Sequence, residues 1–458
     1  MISIKKDKSK LLYILDAGAG DGLLSISAVI KCIKLGYKNI HVTLYEIDNE
    51  LIENLNSNFS DLINHKLLKN INLTFEIICK DFIVERPDLK IPNLKYDICI
   101  INPPYFKYNV KTSCYAKKTA DLFNGDPNIY ASFMAVCLNL LVKNGQLISI
   151  TPRSFTNGLY FKNFRDYILN NSHLEEIHIF GSRGNLFKNS KVLQETIICS
   201  FLKQGQKNRI KITSSDTDED FKQENKRIYP TNLIINTADG HKIISIPENN
   251  NDADILTQAL KLENTFTKSG YFISTGPIVE HRTKDYIVNN SNKGIPLFRS
   301  HNISFMEAKW DIINDKNVSI IQNENTNKVL LENCIYVLLK RFSSKEEKKR
   351  LVAGVYEPIK NYKLIGFGNM VNYIGVKNST LDKVEALGIS AVLNSTFMDN
   401  YFRCSSGSTQ VNATDIRNMK FPDRITIKKI GLELMNMSFS QEFIDKIVMK
   451  YLFYKEDI

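Results

Sequence analysis

The chain has 458 residues, 43% of them hydrophobic and 24% charged, which is the balance of a globular protein with material for two or three domains. No apolar run approaches the roughly 20 residues that span a bilayer, and the opening MISIKKDKSKLLYILDAG has no small-residue cleavage site, so a cytoplasmic protein without a membrane partner is expected. The net charge of +11 and the pI near 9.0 suit a polyanion, nucleic acid first, although a lysine-rich solvated surface gives the same balance.

In chain order, strand patterns fall at LLYILDA (11–17), HVTLYEI (41–47), LTFEIICKD (73–81), YDICII (96–101) and GQLISITP (145–152), followed by HLEEIHIF (173–180) and VLQETIICSFL (192–202). Between them lie the helical patterns GLLSISAVIKCIKLG, NELIENLNSNFSDLI, NIYASFMAVCLNLLVKNG and GLYFKNFRDYILNN. Alternation of this kind predicts an α/β domain over residues 1–202, with a mainly parallel sheet covered on both faces. The last two strands have no long helix between them, so the final one is expected to run antiparallel. Residues 203–255 are polar and unpatterned and read as a linker or excursion. A second ordered region, residues 256–458, follows. Eight cysteines without C-x-x-C spacing read as reduced thiols, and no metal site is expected.

Three strand ends carry polar groups suited to one ligand. After the first, Asp16 and Ala17 lead into Gly18, Gly20 and Gly22, whose G-x-G-x-G spacing differs from the dinucleotide fingerprint. Glu46, followed by Ile47, closes the second strand, where a carboxylate accepts from ribose hydroxyls. Asp81 closes the third, beside Phe82, and is placed to accept from an adenine amino group. Each acid alone reads equally as a solvated strand end. Together they indicate an adenine, a ribose and no dinucleotide turn, hence S-adenosylmethionine, with Asp16 toward its amino group.

The fourth strand ends in Asn102-Pro103-Pro104-Tyr105. Two prolines stop a strand by themselves, but this grouping also permits chemistry. An exocyclic amine on a base is a poor nucleophile because its lone pair is delocalised into the ring. The Asn102 side-chain oxygen and the Pro103 carbonyl can accept its two N–H bonds and aim the lone pair at a sulfonium methyl. Tyr105 offers a face to a base that has left the duplex.

DAGAGDG, YEID, CKDF and INPPY, in this order and spacing, resemble motifs I to IV of the gamma-class N6-adenine DNA methyltransferases. NLFKNSKVLQETIICSF resembles their motif VIII, which implies that Phe187 stacks on the flipped adenine opposite Tyr105. RFSSKEEKKRLVAGVY and SSGSTQVNATDIRNMKFP are similar to segments of the PstI/BsuBI-type modification methylases of restriction–modification systems. The resemblance implies a Rossmann-like S-adenosylmethionine-dependent methyltransferase sheet with a C-terminal α+β target-recognition domain. It also implies double-stranded DNA as partner, with a cognate restriction endonuclease acting on the same site. The family's motif X, upstream of motif I, has no counterpart in MISIKKDKSKLLYIL. Protein-glutamine N5 methylation, cytosine-N4 methylation and an inactive DNA-binding remnant remain the alternatives.

In the second region, Ser344 and Glu347 form an S-x-x-E capping box that predicts a helix. Lys345, Lys348, Lys349 and Arg350 crowd its start, with Lys340 and Arg341 just ahead. A well-capped surface helix explains them as well as phosphate contact does, and the resemblance favours DNA. Arg299, His301 and Gln410 are further candidates for contact with DNA.

Overall fold

A computed structural model of the chain describes residues 1–65, 68–91, 94–109, 111–124, 128–180, 196–205, 207–215, 225–237, 240–289, 294–311, 316–343, 347–406 and 410–454. The chain forms two compact units, Met1–Ile246 and Pro247–Ile458.

The first unit is built on nine strands: β1 (Leu12–Asp16), β2 (Asn39–Glu46), β3 (Asn72–Cys79), β4 (Tyr96–Ile101), β5 (Leu141–Pro152), β6 (Ser172–Phe180), β7 (Thr196–Lys203), β8 (Arg209–Ser215) and β9 (Asn225–Pro230). The helices between them are α1 (Leu23–Lys34), α2 (Asn49–Asn64), the single turns α3 (Phe82–Glu85) and α4 (Pro87–Lys90), α5 (Cys114–Thr119), α6 (Ile129–Leu140) and α7 (Lys162–Asn171). The sheet order is β3-β2-β1-β4-β5-β7-β6-β8-β9. The first five strands in that order are mutually parallel, and β7 runs antiparallel to both neighbours, as expected from the sequence. Strand order reverses between β1 and β4, which opens a crevice at their carboxyl ends. Asp16 and Asn102 sit there.

β4 is buried along its whole length, as a strand covered on both faces must be. The core joins Leu12 and Ile14, Val42 and Leu44, and Ile98 and Ile100 with Val29, Leu55 and Phe59. Met1, Ile2 and Ile4 pack against it, and Lys6 donates to Asp97 at 2.6 Å.

The linker expected over 203–255 is not what the described residues form. β8 lies parallel to β6 and β9 antiparallel to β8, so the sheet continues through this segment. Ile210 and Ile212 are fully buried, and the charged residues line the outermost strand, where edge lysines deter further pairing. The second unit begins at Pro247 rather than residue 256, since the helix Asn250–Ala259, capped by Asn249 with a 2.9 Å bond from the Asp252 amide, packs against the helix Thr396–Ser405 of that unit.

That unit is α+β. One five-stranded sheet runs in the order Tyr271–Thr275, Val371–Val376, Tyr336–Lys340, Ala353–Tyr356, Met306–Glu307, and a second is ordered Ile287–Asn289, Val318–Ile320, Ile295–Phe298, Leu364–Phe367, Leu331–Glu332. Helices Lys383–Asn394 and Arg424–Leu434 cross with almost no gap. A Cβ on Gly388 would lie 2.1 Å from the Ile427 carbonyl oxygen, and one on Gly431 would lie 1.9 Å from that of Val384. The helix expected from the S-x-x-E box does not form in its described part: residues 347–350 are bends and irregular chain. The amides of Arg350 and Leu351 instead donate to Asp399 Oδ1, both at 2.7 Å. Ser344 and Lys345 lie outside the described residues.

Candidate active site

The glycine turn is shaped by backbone bonds before any ligand is considered. The Ala19 amide donates to the Tyr45 carbonyl at 2.9 Å, and the Gly22 amide to the Ala19 carbonyl at 2.8 Å. Gly22 has φ +83° at the mouth of α1, and a Cβ there would meet Leu55 Cδ1 at 2.6 Å, so glycine is required twice over. Glu46 holds the turn from the next strand, its Oε2 accepting from the Gly20 amide at 2.7 Å and its Oε1 from the Ile47 and Asp48 amides at 2.8 and 2.9 Å.

Beneath the turn Asp16 is buried. Its Oδ2 accepts from Ser25 Oγ, while its Oδ1 has no partner. Burial pushes its carboxyl up to about 7, against the bonds from Ser25 and the Gly18 amide, and nearby Glu46 raises it further. Asp81 caps α3, its Oδ1 accepting from the Ile83 and Val84 amides, both at 2.9 Å, and its Oδ2 accepts from the Tyr115 hydroxyl at 2.9 Å.

These groups surround one cavity of about 460 Å³, within the size range of small-molecule sites. Of the cofactor residues expected from sequence, Ala17, Gly18, Gly20, Glu46, Ile47, Asp81, Phe82 and Asn102 line it. Asp16 lies behind the lining. Tyr45, Lys80, Phe106, Tyr115, Ile129 and Phe133 also line the cavity and were missed from sequence. Phe133 sits on a helix that is buried almost all round and reads as core, and Tyr115 lies in a stretch without a motif. Phe82 meets Tyr45 edge-to-face and Phe133 at a tilt, with centroids 5.2 and 5.4 Å apart, and builds an apolar wall. An apolar slot for a purine, acids at its rim and a buried oxygen without a donor match the chemistry of S-adenosylmethionine, whose ammonium would satisfy Asp16 Oδ1.

At the end of β4, Pro103 is buried while Asn102 and Pro104 are exposed on the cavity wall. The Tyr105 hydroxyl lies 2.9 Å from Asn102 Oδ1 and 3.0 Å from the Ile150 carbonyl and shares its one proton between these two acceptors. Its ring is half-buried and meets the edge of Tyr130 at 6.2 Å. Burial pushes the Tyr105 hydroxyl up to about 12, so it remains a proton donor at neutral pH. Phe187 lies outside the described residues.

In the second unit, Arg341 donates to the Asn369 carbonyl at 2.8 Å and to Gln410 Oε1 at 3.2 Å. Arg299 grips Glu280 through two bonds of 2.9 and 2.7 Å, and Lys348 is exposed. Arg350 is buried, its guanidinium donating to Ser343 Oγ and the Ser406 carbonyl, so it does not face a phosphate. His301 bonds Asn317 at 2.8 Å. All eight cysteines are free thiols, and no cluster of metal-ligating side chains occurs among the described residues.

Comparison with known proteins adds the family context. The profile of the family described as Eco57I restriction-modification methylase matches residues 19–187. The type II methyltransferase M.PstI of Providencia stuartii is 35% identical over 449 residues, covering 96% of this chain and 88% of its own length. M.BsuBI of Bacillus subtilis, also a type II methyltransferase, is 34% identical over 437 residues, 93% of this chain and 85% of its own. Among solved structures, the type IIL restriction-modification enzyme MmeI in complex with DNA aligns over 97% of this chain and 70% of that one, with a TM-score of 0.57 at 10% identity, a likeness of fold alone.

Proposed function

This chain belongs to the type II modification methylases of restriction–modification systems, and we propose that it methylates the N6 amine of an adenine flipped out of duplex DNA. S-adenosylmethionine is its cofactor and, when bound, supplies an electrophilic methyl group on a sulfonium. The observation that carries the adenine reading is the exposed Asn102 amide on the cavity wall, its oxygen bonded by the Tyr105 hydroxyl.

The second lone pair of Asn102 Oδ1 and the Pro103 carbonyl accept the two N–H bonds of the adenine amine. Both acceptors stand on a stiff imide turn, so little reorganisation is needed as positive charge develops on nitrogen. As the N–CH3 bond forms, the S–CH3 bond would break and its electron pair return to sulfur as a thioether; the methylated nitrogen, still bearing two hydrogens and a positive charge, then loses one proton to solvent, and no strong base is required. Tyr105 and Phe187 sandwich the extruded base. Glu46 accepts from the cofactor ribose, Asp81 from its adenine amine, and Asp16 holds its ammonium.

The second unit selects the site on double-stranded DNA, with Arg299, Arg341, Lys345, Lys348 and Gln410 as its contacts. A cognate restriction endonuclease cuts the same sequence, and the pair works in the cytoplasm. Nucleoside mass spectrometry of DNA from producing cells tests the reading: 6-methylaminopurine should appear above the level of the host lacking the gene. N4-methylcytosine in its place would overturn the adenine assignment. Replacing Asn102 with Ala should abolish transfer while S-adenosylhomocysteine still binds, which isothermal titration measures.

A further inference from the structure

Two residues beyond the catalytic turn the chain surfaces at Lys107, in a position its backbone fixes. The Ile129 amide donates to the Phe106 carbonyl at 2.9 Å, and Lys107 bridges antiparallel to Asn128, so this stretch is tied to the start of α6. The Lys107 ammonium stands 5.3 Å from the centroid of the Tyr160 ring. Among the described residues no carboxylate forms an ion pair with it.

Tyr160 arrives from the opposite side, on the loop after β5. That loop is held from within by Arg165, fully buried, which donates to the carbonyls of Phe155, Asn157, Gly158 and His241 at 3.0, 2.8, 2.8 and 3.1 Å. Tyr160 is 38% exposed and its neighbour Leu159 48%. From Tyr160 a file of rings leads inward: Phe161 at 4.7 Å, then Tyr130 at 5.5 Å, then Tyr105 at 6.2 Å. The exposed cation and the catalytic tyrosine are thus the two ends of one packed aromatic row.

We propose that Lys107, braced on Tyr160, seats a phosphodiester of the DNA strand whose base enters the site. The inference rests on the DNA-methylation reading above. Extrusion turns a nucleotide about its own backbone, so the phosphate beside it must be fixed for the base to stay in the pocket. A lysine is a compact point charge suited to a phosphate oxygen. Its long stem loses conformational freedom when it is ordered, and the face of Tyr160 has already ordered it. Lys107 is a positioning residue: it acts on the backbone, not on the amine that receives the methyl.

The test uses the full chain, unmethylated genomic DNA and radiolabelled methyl transfer across a salt series. Lys107→Gln should raise KM for DNA several-fold. It should also flatten the fall of log kcat/KM with log salt by roughly 0.9, the share of one phosphate contact. Binding of S-adenosylhomocysteine should not change, and Lys107→Arg should restore most of the loss. Tyr160→Leu should act in the same direction but more weakly, and should add nothing in the Lys107→Gln background. An unchanged salt slope in Lys107→Gln, or losses that multiply in the double variant, would overturn the seat and leave the methylation reading intact. A wild-type protein that binds cofactor but transfers no methyl to DNA would sink both.

Discussion

At Tyr105 a single hydroxyl proton is shared between the Asn102 side-chain oxygen and the carbonyl of Ile150 on β5, so the Asn102–Tyr105 turn is fastened to the neighbouring strand. Tyr105→Phe keeps the ring and removes this tether. A neutral hydrogen bond is worth about 0.5–1.5 kcal/mol net, so kcat should fall roughly two- to ten-fold while KM for cofactor stays put, as steady-state kinetics can read. Asp16 gives a second prediction at this scale. Its carboxyl sits near 7 in the fold against an ordinary 3.8, so the protonated form is favoured natively. Its contribution to stability is complete below 3.8 and drains away as pH climbs to about 7, leaving a buried charge in the cofactor-free protein. An ammonium ligand offsets that charge. Affinity for S-adenosylhomocysteine should therefore strengthen from about pH 6 to about pH 8 and then level off, and Asp16→Asn should flatten the profile. Titration calorimetry decides it; a flat wild-type profile would remove Asp16 from the ammonium site.

Elements differed in how openly the sequence declared them. The parallel strands were legible because β4, buried on both faces, is apolar throughout and the others carry apolar or alternating runs, and a glycine turn followed by a helix has few other uses. The cavity-lining residues at strand ends were legible for the same reason: a polar side chain that closes an apolar run stands out. β8 and β9 were hidden because edge pairing is held by backbone bonds and tolerates lysine and arginine on the outer strand. The bends at 347–350 were hidden because Asp399, far away in sequence, takes the amides a helix would have used. Tyr115 and Phe133 join the site only through tertiary packing. The glycine pair at the crossing of helices Lys383–Asn394 and Arg424–Leu434 carried no sequence signal either, yet it yields a firm expectation. An added methyl at Gly388 or Gly431 meets backbone, which no rotamer change relieves, so each alanine variant should lose about 1–3 kcal/mol, the usual cost of overpacking. Urea unfolding would measure it, and a wild-type midpoint in both would show that the helices can part without penalty.

For the molecule as a whole, the +11 charge gains meaning once DNA is the partner. Several phosphate contacts make binding fall steeply with salt, with a log–log slope of roughly −0.9 per contact. Filter binding between about 50 and 200 mM salt should show a loss well beyond ten-fold, and a salt-independent affinity would argue that the lysines only solvate the surface. The division into units has a different outcome. Each half owns a core, and the chain passes from one to the other once, between Ile246 and Pro247. In the gene, that boundary is one codon junction. A single recombination there would trade an entire half for a relative's without cutting through either interior, so lineages of this protein could exchange one half while inheriting the other unaltered.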